Sequence, residues 1–146
     1  MNDPLAQMRN IAPGDEGSHP IARLMGWRCV SVDRDKGVIV VSYQARPEFA
    51  NPVGMVQGGM LSAMLDDVMS PAATLGMAAG EVVQTLEMKT SFFSPARIGT
   101  IIARGWVRRR GRDILFLEAQ LEDEGGKQIA TATATARRFA LPPATA

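Results

Sequence analysis

Hydrophobic and polar positions alternate with a period of two through most of the second half of the chain. From Ile98 onward, Ile101, Ala103, Gly105 and Val107 oppose Ile102, Arg104, Trp106 and Arg108, which predicts a strand that turns at Arg110-Gly111-Arg112-Asp113. Leu115, Leu117, Ala119 and Leu121 then alternate with Phe116, Glu118, Gln120 and Glu122, before a second turn at Glu124-Gly125-Gly126-Lys127. A last strand from Gln128 to Phe139 sets Ala130, Ala132, Ala134 and Ala136 opposite Ile129, Thr131, Thr133 and Thr135. An earlier strand, from about Val82 to Phe93, places Leu86, Met88 and Phe92 on one face and Thr85, Glu87 and Lys89 on the other, and Ser94-Pro95-Ala96 ends it. Nearer the start, runs from Trp27 to Asp33 and from Val38 to Gln44 flank the turn-forming Asp33-Arg34-Asp35-Lys36-Gly37 and read as a hairpin.

The period changes in the middle of the chain. Leu61, Met64, Leu65, Val68, Ala72 and Leu75 recur at helical spacing and form one apolar stripe. Asp66 and Asp67 fall off its centre, and adjacent helical residues point about 100° apart, so the two acids are assigned different jobs. One faces a pocket, the other solvent or a partner. Pro71 lacks the N–H that would reach the Asp67 carbonyl, which predicts a kink or early break near Ser70. One or two helical turns are expected over residues 20 to 25, and a short helix with a mobile connection over residues 1 to 18. Residues 19 to 140 then form the domain and 141 to 146, with Pro142-Pro143, a flexible tail.

Two hairpin strands, one long helix and a four-strand antiparallel meander make an α+β domain, with the helix covering one face of a curved sheet. Trp106, Phe116 and the small Ala/Thr last strand suit packing against another subunit, so an oligomer is expected.

Composition narrows the chemistry. A chain of 146 residues fits one domain, and its single cysteine, Cys29, allows neither an internal disulfide nor a cysteine metal cluster. Cys29 sits in a strand-like run and reads as a buried structural thiol. His19 is the only histidine and precedes Pro20, which points to a loop or helix-start role. No His-based metal site or Ser-His relay is expected, no bound cofactor is required, and acid-base work falls to carboxylates. The net charge of +1 argues against a general polyanion-binding protein, and no aromatic sheet motif accompanies the arginines, so no nucleic-acid partner is expected. No apolar run approaches a membrane span and no secretory pattern opens the chain, so no membrane partner and a cytoplasmic location are expected.

The strongest chemical signal is Asn51-Pro52-Val53-Gly54-Met55-Val56-Gln57-Gly58-Gly59 followed by the acidic helix. Amides at a glycine-started helix have no intrahelical partners and lie at its positive end, a suitable place for a developing oxyanion. The plain structural reading is a core helix with two exposed acids.

The order of Asn51, Gly54, Gly58-Gly59 and Asp66, then Thr85, Ser94-Pro95-Ala96 with Gly99, Arg109-Arg110-Gly111-Arg112, and Asp123 through Ala130, resembles the hotdog superfamily, specifically the PaaI-like acyl-CoA thioesterases. The resemblance covers roughly residues 45 to 139. It implies a hotdog fold, active sites at a dimer interface, and often a homotetramer built as a dimer of dimers. It further implies Asp66 as nucleophile or general base, the Gly58 amide as oxyanion donor beside Gly59, Asn51 near the water or carbonyl, and Thr85 assisting from the neighbouring subunit. Arg97, Arg109, Arg110 and Arg112 become candidates for the coenzyme A phosphates. The family commonly has histidine before the Gly-Gly pair, where this chain has Gln57, which offers a donor and an acceptor but does not titrate near neutral pH. The implied activity is hydrolysis of an aryl or short- to medium-chain acyl-CoA. The alternative is a non-catalytic acyl-CoA-binding hotdog protein, and dehydratase chemistry ranks below both.

Overall fold

The computed structural model describes residues 6–141; residues 142–146 of the proposed tail, with Pro142 and Pro143, lie outside them, as does the first part of the N-terminal lead. The elements are α1 (Ala6–Arg9), α2 (Pro20–Met25), β1 (Arg28–Asp33), β2 (Val38–Ala45), a single 3-10 turn (Pro47–Phe49), α3 (Gly58–Thr74), β3 (Glu81–Phe92), β4 (Gly99–Arg110), β5 (Ile114–Glu122) and β6 (Gln128–Ala140). All six strands join one antiparallel sheet in the order β1-β2-β4-β5-β6-β3, and α3 lies across strands β2 to β6. This is the α+β hotdog arrangement that the resemblance implies.

The core lies between α3 and the inner sheet face. Leu61, Met64, Leu65, Val68 and Met69 of the helix are buried against Ile39, Val41, Ile101, Ala103, Leu115, Leu117, Ala119 and the β6 alanines Ala130, Ala132, Ala134 and Ala136. Alternation predicts those inner residues because one face of each strand is covered and the other is not. The small residues have a steric reason. A Cβ on Gly105 would lie 2.6 Å from the Val68 carbonyl oxygen, so the helix backbone rests on β4 where no side chain fits.

Three expectations are corrected. The four-strand meander reduces to β4-β5-β6, because β3 pairs with β6 instead of β4, and β4 pairs with β2. Alternation fixes which face a residue takes but carries no information on which strand lies alongside. The break at Pro71 is absent, and α3 continues to Thr74. Pro71 through Thr74 are buried, the Thr74 hydroxyl donates to the Ser70 carbonyl at 2.8 Å, and this packed turn outweighs the lost Asp67 acceptor interaction. The third correction is local. Register shifts at Leu86 in β3 and at Arg108 in β4 break the strict alternation of both strands.

Among the described residues no helix is long and apolar enough to cross a membrane. Cys29 is buried, and that burial raises its thiol pKa. His19 caps α2, its Nδ1 accepting the Ala22 amide at 3.4 Å, in the helix-start role expected for it.

Candidate functional site

The loop before α3 is built on Asn51. Its Oδ1 accepts the amides of Val53 and Met55, each at 3.1 Å, while its carbonyl accepts from Gly54 at 2.9 Å. Gly54 has φ +81°, which a side chain would resist. With Oδ1 engaged in the loop, the Asn51 amide NH2 remains as a donor. The Val56 amide donates to Ala96 at 2.9 Å and the Gln57 amide to Phe49 at 2.8 Å, which anchors the helix entry.

Gln57 is the N-cap of α3, its Oε1 accepting the Met60 amide at 3.2 Å. The two glycines that follow are required for different reasons. A Cβ on Gly59 would lie 2.6 Å from Gln57 Oε1, so Gly59 makes room for the cap. A Cβ on Gly58 would lie 3.3 Å from the Phe92 ring, which closes over the first helical residue. At these first positions the Gly58 and Gly59 amides have no intrahelical acceptor. Phe92 as the wall of this turn has no signal in the sequence, since the contact joins distant elements.

Two turns further along α3, the Thr85 hydroxyl donates to Asp66 Oδ1 at 2.7 Å. The bulge at Leu86 produces this pair. Thr85 stands opposite Ala136 and Met88 opposite Ala134, both inward positions, so Thr85 shares the helix-facing side with Met88. Strict alternation assigns them to opposite faces, and the extra residue, an exposed Leu86, removes that conflict. The resemblance implies that Thr85 assists from the neighbouring subunit; within one chain its hydroxyl reaches Asp66.

Asp67 turns to the other side of the helix. Its Oδ2 accepts from the Tyr43 hydroxyl at 2.6 Å. Burial raises the Asp67 pKa from its ordinary value, against the Tyr43 hydrogen bond and the nearby His19, which favour the charged form. Burial, followed by the Asp67 charge, holds the Tyr43 hydroxyl well above its ordinary pKa, so it stays a donor. Asp67 lines a cleft of about 360 Å³ with Met8, Ile11, Trp27 and Pro71. The two adjacent acids therefore serve separate environments, as their helical spacing predicts.

The arginines do not gather. Arg97 precedes β4 and Arg109 lies near its far end, so within one chain the strand from Gly99 to Arg109 alone separates them by about 33 Å at roughly 3.3 Å per residue. The bulge at Arg108 turns Arg110 toward the helix, where one Nη donates to the Ala73 carbonyl at 2.9 Å and satisfies an acceptor in the last turn of α3. Partial burial lowers the Arg110 pKa, although the residue as a whole stays exposed. Arg109 takes the outer sheet face, in a cleft of about 540 Å³ with Glu87, Arg108, Phe116, Glu118 and Thr133. Arg97, Arg109 and Arg112 are exposed. Among the described residues no group of three or more His, Cys, Asp and Glu side chains gathers as a metal site would require.

Along one helix the Gly58 amide and Asp66 are separated by eight residues, or about 12 Å at 1.5 Å per residue. A single carbonyl carbon cannot meet a carboxylate and an oxyanion donor across that distance. Within one chain Asn51, Gln57 and Gly58 therefore gather at the start of α3, and Asp66 with Thr85 near its middle.

Known proteins carry the same frame. The family model described as the thioesterase superfamily matches residues 53–130. The crystal structure of a phenylacetic acid degradation-related protein from Ralstonia eutropha JMP134 superposes with a TM-score of 0.82 at 38% identity, over 93% of this chain and 99% of that one. Human acyl-coenzyme A thioesterase 13 is 23% identical over 125 residues, 84% of this chain and 88% of its own length. A Streptococcus mutans protein solved with acetyl CoA bound shares the fold, with a TM-score of 0.70 and 19% identity over 79% of this chain and 90% of that one.

Proposed function

The chain belongs to the thioesterase superfamily and is a thioester hydrolase; from that premise we propose that it hydrolyses an acyl-coenzyme A, with Asp66 acting on the thioester carbonyl. The observation that carries this reading is the Asp66–Thr85 hydrogen bond of 2.7 Å, which fixes one carboxylate oxygen and leaves the other available. That oxygen either attacks the carbonyl carbon or takes a proton from a water that does. Coenzyme A leaves as a thiolate, a good leaving group, so a carboxylate suffices without histidine.

The other half of the site comes from a second copy of the chain. In that arrangement the partner's α3 runs the opposite way and brings its own Gly58 amide to the oxyanion, with the Asn51 amide NH2 beside it. The twelve-residue β3 supports it, since among the described residues β3 pairs only with β6 and leaves its other edge open, with Leu86, Phe92 and Phe93 exposed along and beyond it. A dimer of such dimers would cover the outer sheet face, where Phe116 is exposed. Gln57 holds the helix start through its Met60 contact, so in this chain the glycine turn is positioned by a neutral cap. The exposed Arg97, Arg109 and Arg112 are offered to the coenzyme A phosphates, as guanidinium forks suit phosphate oxygens. Acetyl CoA in the Streptococcus mutans relative is consistent with that class of substrate.

Free-thiol release from short-, medium- and long-chain and aryl acyl-CoAs tests the activity. Thr85→Val keeps the shape of the side chain and removes the hydroxyl. It is expected to lower kcat about tenfold on the best substrate with little change in KM, an effect the size of one charge-assisted hydrogen bond. Tight acyl-CoA binding without turnover across the panel would establish the binding-protein alternative instead.

A further inference from the structure

The cleft on the Asp67 side of α3 takes no part in the proposed hydrolysis, yet it has the makeup of a ligand site. Met8, Ile11, Trp27 and Pro71 supply apolar walls, Asp67 and Glu16 supply carboxylates, and the volume is about 360 Å³. No lysine or arginine lines it, although the chain contains 16 such residues. Glu16 accepts from Arg28 at 3.0 Å, and the arginine of this exposed pair lies outside the cleft lining. His19 also lines the cleft, with its Nδ1 accepting the Ala22 amide. Asp67 uses Oδ2 on Tyr43, which leaves its second oxygen to accept from a ligand.

We propose that this cleft binds a small ammonium ion on an apolar body, an arylalkyl- or alkylamine whose N–H groups donate to Asp67 while its hydrocarbon packs on Met8, Ile11, Trp27 and Pro71. An ammonium gains a charge-assisted hydrogen bond to the carboxylate, and the indole of Trp27 is a favourable neighbour for a cation. An anionic ligand of the same shape meets Asp67 as a like charge, since Glu16 is already paired with Arg28. A neutral alcohol makes one hydrogen bond and leaves the carboxylate without a counter-ion. The proposal does not rest on the hydrolytic reading.

Calorimetry of the full-length protein with three near-isosteric probes, 2-phenylethylammonium, 2-phenylethanol and phenylacetate, tests it near neutral pH. The ammonium is expected to bind once per chain, at least about tenfold more tightly than the alcohol, with no binding of the carboxylate. Asp67→Asn retains an oxygen that accepts from Tyr43, so the fold is preserved, and it is expected to weaken the ammonium at least about tenfold. Absence of ammonium binding, equal binding of the alcohol or carboxylate, or full affinity in Asp67→Asn overturns the proposal. The comparison of probes on the unaltered protein decides it independently of the variant.

Discussion

Asp66→Asn is expected to lower kcat/KM for the best acyl-CoA about 10³-fold, within the range that removal of a general base or nucleophile produces. The substitution is nearly isosteric. Asparagine presents an amide oxygen that still accepts from Thr85, so the contact that orients residue 66 survives and the fold is unchanged. What disappears is the carboxylate's capacity to attack or to take a proton. Affinity for a non-hydrolysable acyl-CoA analogue is therefore expected to remain within a few-fold, and the loss to fall on kcat. Undiminished turnover in Asp66→Asn would remove Asp66 from the chemistry.

The largest expected effect on stability belongs to Gly105→Ala. The added Cβ would stand 2.6 Å from the Val68 carbonyl oxygen, 3.0 Å from its carbonyl carbon and 3.2 Å from its Cγ2. Val68 is fully buried and belongs to the helix backbone, so no flexible side chain can move aside. The helix must shift as a body, at a cost of about 3 kcal/mol, near the upper end for overpacking. For a domain of this size that corresponds to a fall in Tm of roughly 10 °C. Activity should fall as well, because Val68 follows Asp66 by two residues and any shift of α3 away from the sheet lengthens the Asp66–Thr85 contact. A thermal melt at fixed protein concentration, showing a change of less than about 2 °C, would mean that helix and sheet meet more loosely than the packing at Gly105 requires.

The two substitutions mark how far the sequence reaches. Gly105 falls on the inner face by alternation alone, and the helix over Leu61 to Leu75 is legible from its apolar period, so their layering is readable. Neither residue's neighbour is. Gly105 meets Val68, and Thr85 meets Asp66, through pairings that depend on strand order and register. Periodicity is silent about both.

The bulges are the clearest case. Val83 and Met88 both pack against the core although five residues separate them, which an unbroken strand forbids. One extra residue at Leu86 reconciles them and carries Thr85 to Asp66. In the run Arg108-Arg109-Arg110 nothing in the composition distinguishes the residue that turns inward to Ala73, because the shift at Arg108 decides it. The Tyr43–Asp67 bond joins residues on different elements and leaves no local trace either. By contrast, the loop at Asn51, the cap at Gln57 and the role of Gly59 are contained within the ten consecutive residues from Asn51 to Met60, and local chemistry there carries most of the geometry.

The central claim is that one chain supplies Asp66 with Thr85 and a second supplies Gly58 with Asn51. Co-expression of two differently tagged inactive variants tests it most directly. Asn51→Asp keeps the Oδ1 that accepts from Val53 and Met55 but replaces the amide NH2 donor with a carboxylate oxygen, so it spoils the oxyanion half without dismantling the loop. Asp66→Asn spoils the other half. In doubly tagged dimers carrying one variant of each kind, one of the two sites is intact, and random pairing in an equal mixture restores about a quarter of the sites. Acyl-CoA hydrolysis by the purified mixed dimer at about half the unaltered activity per dimer is the predicted result; activity no greater than that of the two separate variants would contradict the shared site.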